Sequence, residues 1–112
     1  MARSKAPGPA PPGREPLSPL IHGRVRLRLL SRLVAMPTAH AFTDLRAALR
    51  VTDGVLSVNL TKLESAGLVR VEKTFEGRRP RTLVRVTDEG VRQFREYVED
   101  LRSIVGADGT TP

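Results

Sequence analysis

The stretch from residue 52 to residue 87 constrains the fold most, because a helical pattern of apolar residues changes there into a strand pattern. Three leucines recur at helical spacing and fall on one face of a short helix predicted over residues 53–66. They are Leu56, Leu60 and Leu63. Gly67 comes just after them, where a helix often ends in a left-handed residue. We therefore expect an amphipathic helix, capped at its start by either Thr52 or Asp53.

The second part of the stretch predicts a β-hairpin. Apolar and polar residues alternate over residues 69–74, and a second β-branched run covers residues 83–86. Gly77 permits a turn between the two runs. Pro80 has no amide to donate to a ladder, so we expect strand pairing to weaken at that position.

A short helix followed at once by a basic hairpin resembles the recognition helix and wing of a winged helix-turn-helix. The motifs D-G-x-L-S-x-x-L-x-x-L-E-x-x-G-L-V, E-K-x-F-E-G-R-R-P-R-T and V-T-x-x-G are similar to those of small transcriptional regulators of the MarR/ArsR-like group. The resemblance covers about residues 20–101. It implies a mainly α fold with a β-hairpin wing (α+β), and a homodimeric regulator, most often a repressor, that binds a palindromic DNA operator.

If the helix over residues 53–66 enters a major groove, its outer side supplies the DNA contacts. The candidates are Val55, Ser57, Val58, Asn59, Thr61 and Lys62. Asn59 has the donor and acceptor needed to read an adenine, and Lys62 suits a phosphate. Val55 and Val58 leave two interpretations open. They contact thymine methyl groups, or they contact a protein, which would make the chain a protein-interaction module.

The predicted wing carries the densest positive charge. Its candidate DNA-binding residues are Lys73, Arg78, Arg79 and Arg81. Arginine is favoured in a narrow minor groove because the negative potential is focused there. The alternative is that Arg79 or Arg81 pairs with a glutamate of the hairpin. An exposed pair of that kind is worth at most about 1 kcal/mol, so it would give way to a phosphate.

Two further helices are predicted before the recognition helix. The first covers residues 20–36 and ends before Pro37, which cannot continue a helix. The second covers residues 43–51, with Thr43 as its N-cap and Phe42 packing just before it. Residues 1–19 contain six of the nine prolines and are predicted to be a disordered basic tail.

A last helix is predicted to begin after Thr87 and to cover residues 88–106, followed by a flexible tail at residues 107–112. Its apolar residues follow the alternating spacing of a coiled-coil seam, which suits a dimer helix that also packs on its own domain. Packing within one subunit alone is the other interpretation. The resemblance also assigns the segment at the first helix to dimerisation. The interface candidates from the two segments are Leu17, Leu20, Ile21, Val91, Phe94, Val98, Leu101 and Val105.

Charge and composition agree with a nucleic-acid partner. The chain has 112 residues, enough for one domain, and a net charge of +7. Residues 68–87 carry +4, whereas residues 88–112 carry −3, so the wing is expected to face DNA and the last helix to face away. We expect no membrane partner and a cytoplasmic location, because no long apolar run or signal peptide is recognisable.

An enzyme or metal sensor is not predicted. The chain has no cysteine, and its two histidines, His22 and His40, are not accompanied by an acid pair or glycine loop at catalytic spacing. We expect no cofactor and no metal site. The resemblance also implies that a small-molecule effector is a candidate partner, since MarR-type relatives often bind amphipathic ligands between their DNA-binding and dimer regions.

Overall fold

The computed structural model describes the backbone of residues 18–109 and the side chains of residues 18–106. Its elements are, in order, α1 (Arg24–Ala35), β1 (His40–Ala41), α2 (Phe42–Leu49), α3 (Asp53–Ser65), β2 (Val69–Glu76), β3 (Arg79–Val86) and α4 (Asp88–Gly109). Three helices followed by a β-hairpin and a long helix form a winged helix-turn-helix, which confirms the predicted α+β fold. Residues 1–17 of the predicted tail at residues 1–19, including Leu17, and residues 110–112 lie outside the described part.

The core is built almost entirely from leucine and valine. Each of the first three helices turns at least two leucines inward, and the β-hairpin covers them with Val84 and Val86. The fully buried leucines are Leu29, Leu30, Leu33, Leu45, Leu56, Leu63 and Leu68. Burying a leucine side chain contributes roughly 1.5–3 kcal/mol, so these few residues hold the helices around a common centre. Within residues 18–109, no helix is both long enough and apolar enough to cross a membrane.

Both ends of α3 carry the signals predicted for them. Thr52 is the N-cap, and its hydroxyl accepts the amide of Val55 at 3.1 Å. At the other end, Gly67 has a φ of +79°, and its amide donates to the carbonyl of Glu64. The amide of Leu68 donates to the carbonyl of Leu63, which completes a Schellman motif with both leucines buried. α3 is therefore bounded tightly on both sides.

The sheet has three strands in the order β1-β3-β2, all antiparallel. The turn of the hairpin is shorter than expected and consists of Gly77, with a φ of +65°, and Arg78. The expected weakening at Pro80 is wrong, because Pro80 pairs in register with Phe75. Next to the pair that closes a two-residue turn, the ladder has no hydrogen bonds, so the missing amide of Pro80 costs nothing there.

The starts of the first two helices differ from the predictions. α1 begins at Arg24 rather than at residue 20, because the amides of Ile21 and His22 donate to the carbonyl of Ser18 and form a separate turn. α2 begins at Phe42 and has no side-chain cap, so Thr43 is not its N-cap. The preceding residues form β1, whose pairing with β3 sets the backbone direction into the helix.

The start of α4 is joined to the end of α3. The Thr87 hydroxyl accepts the amide of Gly90 at 2.9 Å, as the predicted cap requires, and donates to the carbonyl of Gly67 at 2.7 Å. The Thr87 amide donates to the carbonyl of Leu68. Gly90 is buried, and a Cβ at this position would lie 2.1 Å from that same carbonyl oxygen. The V-T-x-x-G motif is therefore the junction that fixes α4 against the recognition helix.

α4 is longer than predicted and continues to Gly109. Its first turn contains Asp88 and Glu89, where negative charge is favoured by the helix dipole. Hydrogen bonds from Arg92 and then Gln93 lower the pKa of Glu89 to about 2. The carboxylate therefore stays ionised well below neutral pH, which keeps this end of α4 acidic.

Candidate nucleic-acid interface

The outer face of α3 is open to solvent. Its leucines are buried, and the residues on the opposite side are exposed as predicted for Val55, Ser57, Val58, Thr61 and Lys62. Val55 is 42% exposed and Val58 is 56% exposed, so neither side chain has a covering partner within the described residues. This face combines hydroxyl groups, one ammonium group and two apolar side chains, which suits contact with both phosphates and base edges.

The wing presents cations that are not neutralised within the protein. Lys73, Arg78 and Arg79 are exposed and make no ion pair with any residue in the described part of the chain. Arg81 instead pairs with Glu76 at 2.8 Å, which was the predicted alternative for this arginine. Both partners are exposed, so the pair contributes little and can exchange for a phosphate contact.

α3 and the wing enclose a groove of about 440 Å³. Its lining brings together Ser57 and Thr61 from α3 with Lys73 and Thr82 from the wing. Two carboxylates, Asp53 and Glu64, also line it. Asp53 is paired with Arg46 of α2 at 2.6 Å, and Glu64 accepts the amide of Val71 at 3.3 Å. Both carboxylates at this groove therefore already have a partner, whereas Lys73 makes no ion pair among the described residues.

Asn59 lies differently from its neighbours on α3. It is half-buried, and both ends of its amide are used within the protein. Arg26 Nη1 on α1 donates to Asn59 Oδ1 at 2.8 Å, and Asn59 Nδ2 donates to the carbonyl of Val55 at 2.8 Å. Arg26 Nε also donates to the carbonyl of Leu20, which joins the turn before α1 to the same network. Each end of the amide has a second hydrogen-bonding position, so Asn59 can contact a base while it keeps the bond from Arg26.

The Arg26 contact can be tested with Arg26→Met, which keeps an unbranched apolar stem and removes the guanidinium donors. If the contact orients α3, we expect operator binding to weaken about tenfold, since a hydrogen bond to a charged group contributes roughly 1.5–3 kcal/mol. Binding to random-sequence duplex should change little. Gly23→Ala is a milder variant, because its Cβ would lie 2.8 Å from Arg26 Nη2 and displace the guanidinium. Affinities for both duplexes, measured by fluorescence anisotropy, give the comparison.

Stronger operator binding by Arg26→Met would instead indicate that releasing Asn59 favours base reading. An equal decrease in affinity on both duplexes, with a shallower salt dependence, would indicate that Arg26 contacts a phosphate directly.

The predicted dimer residues within the described part of the chain divide into three groups by burial. Ile21 is fully buried in the subunit, so the structure contradicts its assignment to an interface: the turn before α1 directs it into the core. Leu20, Val91, Phe94 and Val98 are half-buried and pack against the same core. Beyond them, α4 exposes apolar side chains that have no cover in one subunit. They are Leu101, Val105 and, not predicted from the sequence, Ile104.

Neither histidine belongs to a catalytic or metal-binding cluster among the described residues. A hydrogen bond joins His22 Nδ1 to the hydroxyl of Tyr97 on α4 at 2.9 Å. His40 Nε2 is hydrogen-bonded to the carbonyl of Met36 at 2.7 Å. Within the part of the chain that the structure describes, no group of three or more histidine, aspartate or glutamate side chains is arranged to hold a metal ion.

Comparison with known proteins gives a consistent result. Residues 25–105 match the model of a winged helix DNA-binding domain family. An uncharacterized protein of Methanocaldococcus jannaschii is 31% identical over 77 residues, which cover 69% of this chain and 83% of that protein.

Solved structures of transcriptional regulators are also similar. A transcriptional regulator homologue from Pyrococcus horikoshii OT3 has a TM-score of 0.75 and 28% identity, over 80% of this chain and 89% of that one. A protein from Enterococcus faecalis V583 assigned to the MarR family has a TM-score of 0.64 and 27% identity, over 79% and 77% of the two chains. The family match extends from α1 into α4.

Proposed function

Because the chain belongs to the family of winged helix DNA-binding domains and is a MarR-like transcriptional regulator rather than an enzyme, we propose that it binds a palindromic operator as a homodimer and acts as a repressor. In this proposal α3 lies in the major groove and the wing lies along the adjacent minor groove and backbone. Two copies of α3 would then meet the DNA about 34–36 Å apart.

One observation carries this proposal: the exposed face of α3 shares a groove with Lys73, a cation of the wing that makes no ion pair among the described residues. Ser57, Thr61 and Lys73 line it together, and Arg78 and Arg79 continue the positive charge toward the tip of the wing. In contrast to the wing, residues 88–112, which include α4, carry a net charge of −3. A polyanion is therefore attracted to the face that holds α3, where Ser57, Thr61 and Lys62 are available for contact.

Hydroxyl-radical footprinting on a duplex selected from a random library tests this arrangement. We expect two protected patches whose centres are one helical turn apart, about 10–10.5 base pairs, flanked by minor-groove protection from the two wings. A single patch, or protection without a two-fold related sequence, would contradict the palindromic mode. Placing the selected sequence across the promoter of a reporter then tests repression.

The proposed dimer uses the exposed end of α4. Val105 is 61% exposed, and Leu101 lies one helical turn before it on the same face. We expect Leu101→Glu to shift the protein from dimer to monomer in sedimentation velocity, because two buried carboxylates would face each other across the seam. Ser103→Glu is the matched control, since it adds the same charge at an exposed position away from the seam. Loss of the dimer in both variants, or in neither, would contradict this interface.

Val55 and Val58 favour a second candidate function, a protein-interaction module. Their exposure on the outer face of α3 supports contact with thymine methyl groups, but it equally suits an apolar patch on a protein partner. The two functions differ in one simple property: only the DNA-binding function predicts retention on duplex DNA at moderate salt. We favour DNA because Lys73 of the wing lines the groove beside α3, and the turn of the wing adds the exposed Arg78.

The described residues offer a candidate location for an effector of the amphipathic class. A groove of about 650 Å³ lies between α1, α2 and the side chain of Phe94. Leu27, Met36 and Leu49 give it an apolar lining, and Arg28 and Arg32 lie at its edge. Apolar walls with guanidinium groups suit an aromatic or aliphatic carboxylate, and the groove is bordered by α1, α2 and the proposed dimer helix α4.

A further inference from the structure

Phe75 is an exposed apolar residue in a wing that is otherwise rich in charged residues. It is 70% exposed, more than any other large apolar residue in the described part of the chain. It lies in β2 directly opposite Pro80 of β3, so the two side chains stand on the same face of the hairpin. Together we call Phe75 and Pro80 the apolar ridge.

The register of the hairpin fixes the direction in which the apolar ridge faces. Paired residues share a face, and successive pairs along a strand alternate between faces. Val71 and Val84 form one pair toward the core, and Lys73 and Thr82 form the next pair on that face. Lys73 and Thr82 line the groove beside α3. The ridge is the following pair on this face, about 7 Å further along the strand, so it faces the same side as the recognition helix.

Cations flank the apolar ridge on both sides. Lys73 lies on the inner side of the ridge, and Arg78 occupies the turn beyond it. Arg79 and Arg81 lie on the opposite face of the same two strands. An apolar strip between positive charges is complementary to a DNA minor groove, whose walls are the apolar faces of deoxyribose rings and whose rims are phosphates.

We propose that Phe75 and Pro80 pack against the deoxyribose walls of the minor groove while Lys73 and Arg78 contact the phosphates on its rims. This inference rests on the proposed DNA-binding function and adds an apolar component to the affinity of the wing. Other minor-groove proteins also use apolar side chains, which they insert between base steps, whereas here the ring lies against the sugars and the bases stay stacked. The contact does not depend on base identity, so it acts on any duplex.

The test compares Phe75→Ala with the wild-type protein on a random-sequence duplex of about 30 base pairs, at several salt concentrations. Removing the ring should weaken binding about tenfold, in keeping with the loss of a partly buried aromatic side chain. The slope of log affinity against log salt should stay the same, because the protein still contacts the same phosphates. Phe75→Leu should recover most of the affinity. Because Phe75 is exposed, the unfolding midpoint of Phe75→Ala should match that of wild type.

Thr74→Ala is the matched control. Thr74 is the exposed residue before Phe75 in β2, and its pairing with Arg81 places its side chain on the face of the hairpin opposite the apolar ridge. It should bind DNA as wild type does. Unchanged DNA affinity in Phe75→Ala overturns the inference while leaving the proposed function intact, and so does a change in oligomeric state without a change in affinity. Failure of the wild-type protein to bind any duplex overturns both.

Discussion

Replacing Gly90 with alanine is expected to destabilise the folded domain by about 3 kcal/mol, at the upper end of what overpacking usually costs. A Cβ at this position would lie 2.1 Å from the carbonyl oxygen of Leu68 and 2.8 Å from Cγ2 of Val86. The oxygen cannot move away, because it accepts the amide of Thr87 in the junction between α3 and α4. The helix must therefore shift as a whole, and the Schellman motif at Leu68 shifts with it.

Urea unfolding followed by circular dichroism measures this effect, with Gly54→Ala as the control. Gly54 also lies in the first turn of a helix, but a Cβ there would meet nothing within 4 Å. Alanine at that position should be neutral or stabilising by up to about 1 kcal/mol, since glycine is a poor helix former. Equal midpoints for Gly90→Ala and wild type would show that the junction is not as tight as these distances require.

The double variant Arg78→Ala/Arg79→Ala is expected to bind every duplex about a hundredfold more weakly, because a charged hydrogen bond to a phosphate contributes roughly 1.5 kcal/mol. Neither arginine has an ion-pair partner among the described residues, so removing both leaves no carboxylate unpaired. The slope of log affinity against log salt should become shallower by about 0.9 for each phosphate that the variant no longer neutralises. Preference among sequences should change much less than affinity.

Arg92→Ala/Arg102→Ala is the control for net charge. It removes the same two positive charges from α4, where both arginines form exposed pairs with glutamates. Those pairs contribute little to stability, so the fold should be unaffected. If this variant bound DNA as weakly as the wing variant, long-range attraction rather than local contact by the wing would account for binding.

Local signals in the sequence are sufficient to predict the features that depend on contacts between residues close together in the chain. The leucine spacing of α3, the cap at Thr52 and the left-handed residue at Gly67 were all readable, because each depends on contacts within a few residues. The Thr87 cap was readable for the same reason. These are positions where one amide or carbonyl of a helix end needs a partner nearby.

Other features depend on contacts between residues far apart in the chain. β1 has only two residues, too few for a pattern, and exists because it pairs with β3. Asn59 falls on the flank of α3 by helical spacing alone, and only the position of α1 reveals its partner Arg26, 33 residues earlier. Gly90 lies in the V-T-x-x-G motif, but glycine is needed there because of the Leu68 carbonyl, which is outside the motif.

The wing illustrates the same limit within one hairpin. The sequence predicts its positive charge and its turn at Gly77, but it also predicts weaker strand pairing at Pro80, which is wrong. Whether proline fits depends on whether its nitrogen points toward the neighbouring strand, and this follows from the register rather than from composition. The same register gives Phe75 its direction, which the alternation of residues alone did not indicate.

Binding of the purified protein to its own upstream intergenic DNA and to an unrelated duplex, across a salt series, tests the proposed DNA-binding function most directly. We expect selective retention of the upstream duplex at about 150 mM salt, with a steep decrease in affinity as salt rises. Absence of binding to either duplex at low salt would contradict the proposal and would favour a protein partner at Val55 and Val58.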